Sequence, residues 1–74
     1  MSPELRAALE AKLGVIEEDV ASADDAYVLG ALDAILRYAE KNPTIPDRAL
    51  CQCWGDVIQS AIPAALWDRV SKEG

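Results

Sequence analysis

The two cysteines carry the most reactive side chains in this chain, and they lie two positions apart, at Cys51 and Cys53. A disulfide between them would be strained in a helix or in a strand. On a helix the two side chains point about 200° apart, and the chain has no histidine to complete a zinc site or to activate a nucleophile. We therefore expect two buried, reduced thiols beside the apolar stripe that contains Leu50 and Trp54.

Carboxylates are the other chemical resource, because the chain has 13 acids, 7 bases and a net charge of −6 in 74 residues. Catalytic carboxylate pairs need an apolar cleft that adjusts their pKa values, and a chain of this length has little room for one. The four glycines are isolated, so there is no phosphate-binding loop. The acids also lack the spacing of a calcium loop. The sequence thus predicts no catalytic residue, no cofactor and no metal site, and we expect a protein that is not an enzyme.

The acids are unevenly distributed along the chain. Residues 13–36 contain no lysine or arginine but hold six acids, as many as the whole net charge. Two of them fall in the first turn of a predicted helix, where the helix dipole favours negative charge. Three others fall near the C-terminal end of the preceding helix, where the dipole disfavours it, and a local rule broken without evident gain is a reason to suspect function. These five candidate binding residues are Glu17, Glu18, Asp19, Asp24 and Asp25.

Two interpretations of this acidic segment remain open. It can keep a small, apolar-rich protein soluble, or it can contact a partner protein with a basic surface. A nucleic-acid-binding partner, for which the acids would partly mimic phosphates, is a special case of the second interpretation. Tyr27 and Trp67 are candidate anchors for such an interface, because aromatic residues are enriched among residues that dominate binding energy. Packing in the core is the other interpretation of Trp67.

The elements that position these residues are predicted to be helices, because apolar residues recur every three or four positions. Ser2 and Ser22 are expected N-caps of the first two helices, and Thr44, with Asp47 three residues on, of the third. Pro63 separates the third helix from a short fourth. The expected helices span residues 3–20, 23–41, 45–61 and 64–71.

We therefore predict one all-α domain over residues 1–74, a small bundle of three main helices plus a short C-terminal fourth. The apolar stripe of the first helix continues past Gly14 to Ile16 and Val20, which favours one continuous helix. A chain this short buries only about 60% of the surface that its unfolded form exposes. We accordingly expect a homodimer that buries helix faces across a two-fold axis.

Size, acidity and helicity would also fit an acyl carrier protein, which holds phosphopantetheine on a serine in an Asp-Ser-Leu context at the start of the second helix. The corresponding residues here are Ala21-Ser22-Ala23-Asp24-Asp25, which do not match.

The longest uncharged run, residues 57–67, is interrupted by Pro63 and is too short to span a membrane. The first residues lack the apolar run of a signal peptide, so we expect a cytoplasmic protein. Its acidity argues against direct binding to nucleic acid or anionic lipid. We predict a small acidic protein-binding module that inhibits or regulates a partner, as small phage factors directed against host proteins do. The alternative is a structural or adaptor subunit that docks through apolar helix faces.

Overall fold

The computed structural model describes residues 1–72, which form four α-helices and no strand. The all-α bundle expected from the sequence is thereby confirmed. Within the described residues, no helix combines the length and the apolar character needed to cross a membrane. The helices are α1 (Pro3–Glu18), α2 (Ala23–Lys41), α3 (Asp47–Ala61) and α4 (Ala64–Lys72).

Serine caps begin the first two helices, as the sequence predicts. The hydroxyl of Ser2 accepts a hydrogen bond from the Leu5 N–H at 3.2 Å, and the hydroxyl of Ser22 accepts one from the Asp25 N–H at 3.2 Å. Such caps contribute about 1 kcal/mol each by satisfying an N–H that the first helical turn leaves free. α1 passes through Gly14 without a break, which confirms the continuous helix.

α1 nevertheless ends two residues earlier than the apolar stripe suggests. Asp19 is its C-cap, with an extended backbone (φ −151°, ψ 93°) and an N–H that donates to the Ile16 carbonyl. Val20 therefore lies outside the helix and is 47% exposed. Its assignment to the buried stripe was wrong, because helical spacing does not reveal where the last turn closes.

The start of α3 also differs from the expectation. α3 begins at Asp47 rather than at residue 45, and its N-cap is Pro46, which makes no side-chain capping bond. The Asp47 carboxylate instead accepts a hydrogen bond from the Ser2 N–H at 2.7 Å. The predicted capping box on Thr44 is wrong, because a tertiary contact with the start of α1 uses the carboxylate.

The helices form two hairpins, α1–α2 and α3–α4, that pack on each other. Arg6 near the start of α1 pairs with Glu40 near the end of α2 at 3.6 Å, so these two helices run antiparallel. The amino group of Met1 donates to the Ile45 carbonyl at 2.9 Å, which brings the start of α3 to the same end. The loop of residues 19–22 consequently lies at the opposite end of the α1–α2 hairpin.

The core is apolar and receives residues from all four helices, and no charged or polar residue of the described chain is buried. Each fully buried Leu or Ile stabilises the fold by about 1.5–3 kcal/mol relative to an exposed one. The six largest side chains with essentially no exposure are Leu5, Leu9, Leu32, Ile35, Leu50 and Ile58.

α3 bends at Trp54, whose backbone is not helical (φ −128°, ψ 33°). The next residue is Gly55, and a Cβ placed there would lie 3.5 Å from the Trp67 ring of α4. A Cβ there would be in ordinary van der Waals contact with that ring, so α3 and α4 pack closely at this position. Trp54 itself is half buried and contacts the Tyr38 ring edge to face, with 5.2 Å between ring centroids.

Candidate protein-binding surface

The acidic residues singled out by the sequence lie at the loop end of the α1–α2 hairpin. Three occupy the last turn and the C-cap of α1, and two occupy the first turn of α2. Only four residues connect the helices, so the two groups share one end of the molecule. We call this surface the acidic end, and its members are Glu17, Glu18, Asp19, Asp24 and Asp25.

Local backbone structure holds the acidic end in place. The Asp19 N–H closes the last turn of α1 on the Ile16 carbonyl at 3.1 Å. The Asp25 carboxylate accepts the Ala21 N–H at 3.2 Å, so this half-buried acid also orders the connecting loop. The other four carboxylates of the acidic end are exposed. The charges are therefore presented on a defined turn and not on a long loop.

No member of the acidic end forms an ion pair with any base among residues 1–72. Every ion pair found there uses an acid from another part of the molecule. Such exposed pairs contribute about 0–1 kcal/mol, but they neutralise charge locally. The pairs are Arg6–Glu10, Arg6–Glu40, Arg37–Asp33 and Arg69–Glu4.

The acids of α1 are placed unfavourably for the stability of their own helix. Glu17 and Glu18 lie in its last turn, which contains no basic residue. The helix dipole disfavours each negative charge there by about 0.3–1 kcal/mol. Asp24 and Asp25 lie at the opposite kind of helix end, where the same dipole favours them.

Large apolar side chains are exposed in and next to the same region. Val15 is 64% exposed, Val20 is 47% exposed and Tyr27 is 70% exposed. Val15 precedes the α1 acids by two residues, Val20 lies in the loop, and Tyr27 follows the α2 acids by two residues. The sequence reasoning missed Val15, although its position on the side of α1 away from Leu5 and Leu9 was a usable signal. Of these three residues, Tyr27 belongs to the aromatic types that are enriched at protein interfaces.

Trp67, the other candidate anchor, lies on α4 and is half buried. Its ring packs over Gly55 of α3, so it takes part in the contact between these two helices. The structure thus brings Tyr27 next to the acidic end and gives Trp67 a packing role in the α3–α4 hairpin.

The two thiols occupy different environments, and both are free. Burial raises the pKa of the Cys51 thiol, and the nearby negative charge of Asp47 raises that pKa further. Cys53 is exposed, so the expectation of two buried thiols was wrong for this residue. On a helix the two side chains point about 200° apart, so burial of Cys51 leaves Cys53 facing away from the core.

Within the described part of the chain, no group of three or more acids and cysteines is positioned to hold a metal ion. Comparison of the chain with protein-family models, with curated proteins and with solved structures finds no match in any of the three.

Proposed function

We propose that this protein is a non-enzymatic binding module whose acidic end contacts a basic surface on a partner protein. The module regulates or inhibits that partner by occupying its surface. Electrostatic complementarity would speed the encounter and orient the two molecules. Exposed ion pairs contribute little binding energy, and apolar contacts made by Val15, Val20 and Tyr27 would add to it.

The observation that carries the proposal is the position of Glu17 and Glu18. They are exposed, they have no ion-pair partner within residues 1–72, and they lie at a helix end that their charge destabilises. Solubility alone requires negative charge but not this placement, since many exposed sites on the bundle would accept an acid at no cost.

The test compares wild-type protein with the E17K/E18K variant in capture from a lysate of the native host, followed by affinity measurement with the identified partner. The variant should bind the partner at least tenfold more weakly than wild type. The affinity of wild type should decrease as the salt concentration rises from about 50 to about 300 mM, because screening shortens the range of the attraction. The control is E10K/D68K, which changes the net charge equally at exposed sites outside the acidic end. Equal loss in both variants would contradict the proposal.

Partial mimicry of nucleic acid is the special form of this proposal in which the partner binds DNA or RNA. It includes the phage-type inhibitor of a host protein considered above. Its support is the same set of unpaired carboxylates on one turn. Duplex DNA should then displace the module from the partner. DNA should displace the E17K/E18K variant at a lower concentration than wild type, while the affinity of the partner for DNA itself stays the same.

A structural or adaptor subunit is the second candidate, and the exposed Val15 and Val20 favour it. Docking of this kind would depend little on salt and would survive charge reversal at Glu17 and Glu18. Self-association through helix faces stays a prediction. Size-exclusion chromatography with light scattering, at micromolar concentration, would test it by the molar mass.

A further inference from the structure

A groove lies between α2 and the bent part of α3, next to the acidic end. It has a volume of about 330 Å³, and its lining includes Tyr27 of α2 together with Gln52, Cys53, Trp54 and Asp56 of α3. Pockets for small molecules occupy about 300–1,000 Å³, so this groove lies at the lower end of that range and has room for one long side chain.

The lining of this groove combines aromatic rings with one unpaired carboxylate. Asp56 is exposed and forms no ion pair within the described residues. No lysine or arginine lines the groove. Tyr27 leaves most of its ring exposed at the edge, and Trp54 is half buried. Aromatic faces and a carboxylate together attract a cation that also has apolar or planar surface.

We propose that this groove binds an arginine side chain of the partner. The inference rests on the proposed function, because it supplies the partner's basic surface with one specific contact. Tyr27, Trp54 and Asp56 line the same groove, and a guanidinium group suits such a lining because it both stacks on aromatic rings and donates hydrogen bonds to carboxylates. A lysine ammonium is compact and strongly hydrated, so it uses an aromatic ring and a carboxylate less well.

A second groove on the protein provides a contrast. It lies between α1 and α4, has a volume of about 500 Å³, and is lined by Ala8, Leu66 and Pro63 among others. Its two charged residues, Glu4 and Arg69, are paired with each other. This groove therefore has a carboxylate that is already satisfied and no aromatic ring, and a guanidinium gains little there.

The experiment uses ¹⁵N-labelled protein titrated with N-acetyl-arginine amide and, separately, with N-acetyl-lysine amide. These probes carry one positive charge each, so they report the groove without the multiple contacts of a whole partner. The arginine probe should shift the indole N–H signal of Trp54 and the backbone signals around Asp56 at lower concentration than the lysine probe. The backbone signals around Ala8, in the groove between α1 and α4, should not move.

Two variants test the assignment. Asp56→Asn should weaken arginine binding about threefold, the size of an exposed ion pair, whereas Asp68→Asn, with the same charge change on α4, should leave it unchanged. Tyr27→Phe should retain binding, and Tyr27→Ala should lose part of it. Unchanged spectra away from the groove would show that each variant folds.

Equal shifts with both probes, shifts confined to the acidic end, or no shift at all would overturn the inference. None of these results bears on the proposed function, which fails if the E17K/E18K variant binds the partner as wild type does or no worse than the E10K/D68K control. Preferential arginine shifts at Trp54 that need about threefold more probe in Asp56→Asn, and no more probe in Asp68→Asn, would support the inference.

Discussion

Exchanging two acids for lysines is expected to change stability in opposite directions at the two helix ends that form the acidic end. The E17K/E18K variant removes negative charge from the last turn of α1, and the D24K/D25K variant removes it from the first turn of α2. Both variants bring the net charge from −6 to −2, since each exchange adds two charges. Repulsion within the acidic end is relieved to a similar extent in both, so the helix dipole decides the difference.

The expected magnitudes follow from the two local environments. At the α1 end each exchange replaces an unfavourable interaction with the helix dipole by a favourable one. The two substitutions of the E17K/E18K variant should together stabilise the fold by about 1 kcal/mol. At the α2 end two favourable interactions are lost. The Asp25 carboxylate also stops accepting the Ala21 N–H, a hydrogen bond worth about 1 kcal/mol. The D24K/D25K variant should therefore lose about 2 kcal/mol.

Thermal unfolding followed by circular dichroism measures both effects, because about 1 kcal/mol shifts Tm by 4–8 °C in a domain of this size. The two Tm shifts should have opposite signs at low salt and should shrink at 0.5 M salt, where exposed charges are screened. Stabilisation of both variants would mean that charge repulsion outweighs the dipole. Destabilisation by E17K/E18K would refute the argument that Glu17 and Glu18 are placed at a cost.

Two further predictions concern sites away from the acidic end. A Cβ at Gly14 or at Gly30 would meet no atom within 4 Å. The G14A and G30A variants should therefore each raise the free energy of unfolding, measured by urea titration, by about 0.5–1 kcal/mol. A lower free energy of unfolding would show that there is no room for a Cβ at that glycine. Iodoacetamide at pH 8 should alkylate Cys53 in the native protein and Cys51 only after unfolding, which intact mass would show. Alkylation of both thiols at equal rates in the native protein would contradict the burial of Cys51. The raised pKa of Cys51 means that the folded state holds the thiol proton more tightly than the unfolded state does. The contribution of this thiol to the free energy of unfolding should therefore be fully present below the ordinary pKa of about 8.5 and should decrease at higher pH.

The helical fold was predictable because its determinants are local. The serine caps and the spacing of apolar residues depend on neighbours within four positions, and the structure confirms both Ser2 and Ser22. The start of α3 depends instead on a hydrogen bond from Ser2 to Asp47, which are 45 positions apart. No local pattern could indicate that this carboxylate is used elsewhere.

The candidate site was predictable in membership but not in its electrostatic state. The absence of bases between Lys12 and Arg37 is a property of the sequence, so the acidic residues could be chosen from it. That they lack ion-pair partners depends on the fold. The exposure of Cys53 could have been predicted, since its side chain points about 200° away from that of Cys51 on a helix. The groove beside Tyr27 could not, because it depends on how α2 packs against α3 around the bend at Trp54.

The separation of charge in this molecule follows from the topology of a helical hairpin. A hairpin places residues that flank its loop at one end and the residues farthest from the loop at the other. A contiguous acidic segment around the loop therefore becomes one charged end. The opposite end carries the ion pairs of Arg6 and the contact between Ser2 and Asp47, on which the packing of the second hairpin depends. Acids added there would repel Asp47 and weaken the fold, whereas acids near the loop act on the last turn of α1, the first turn of α2 and the loop between them. The loop end is thus where this hairpin gathers its unpaired acids, and the cost of Glu17 and Glu18 to the last turn of α1 is the feature on which the proposed function rests.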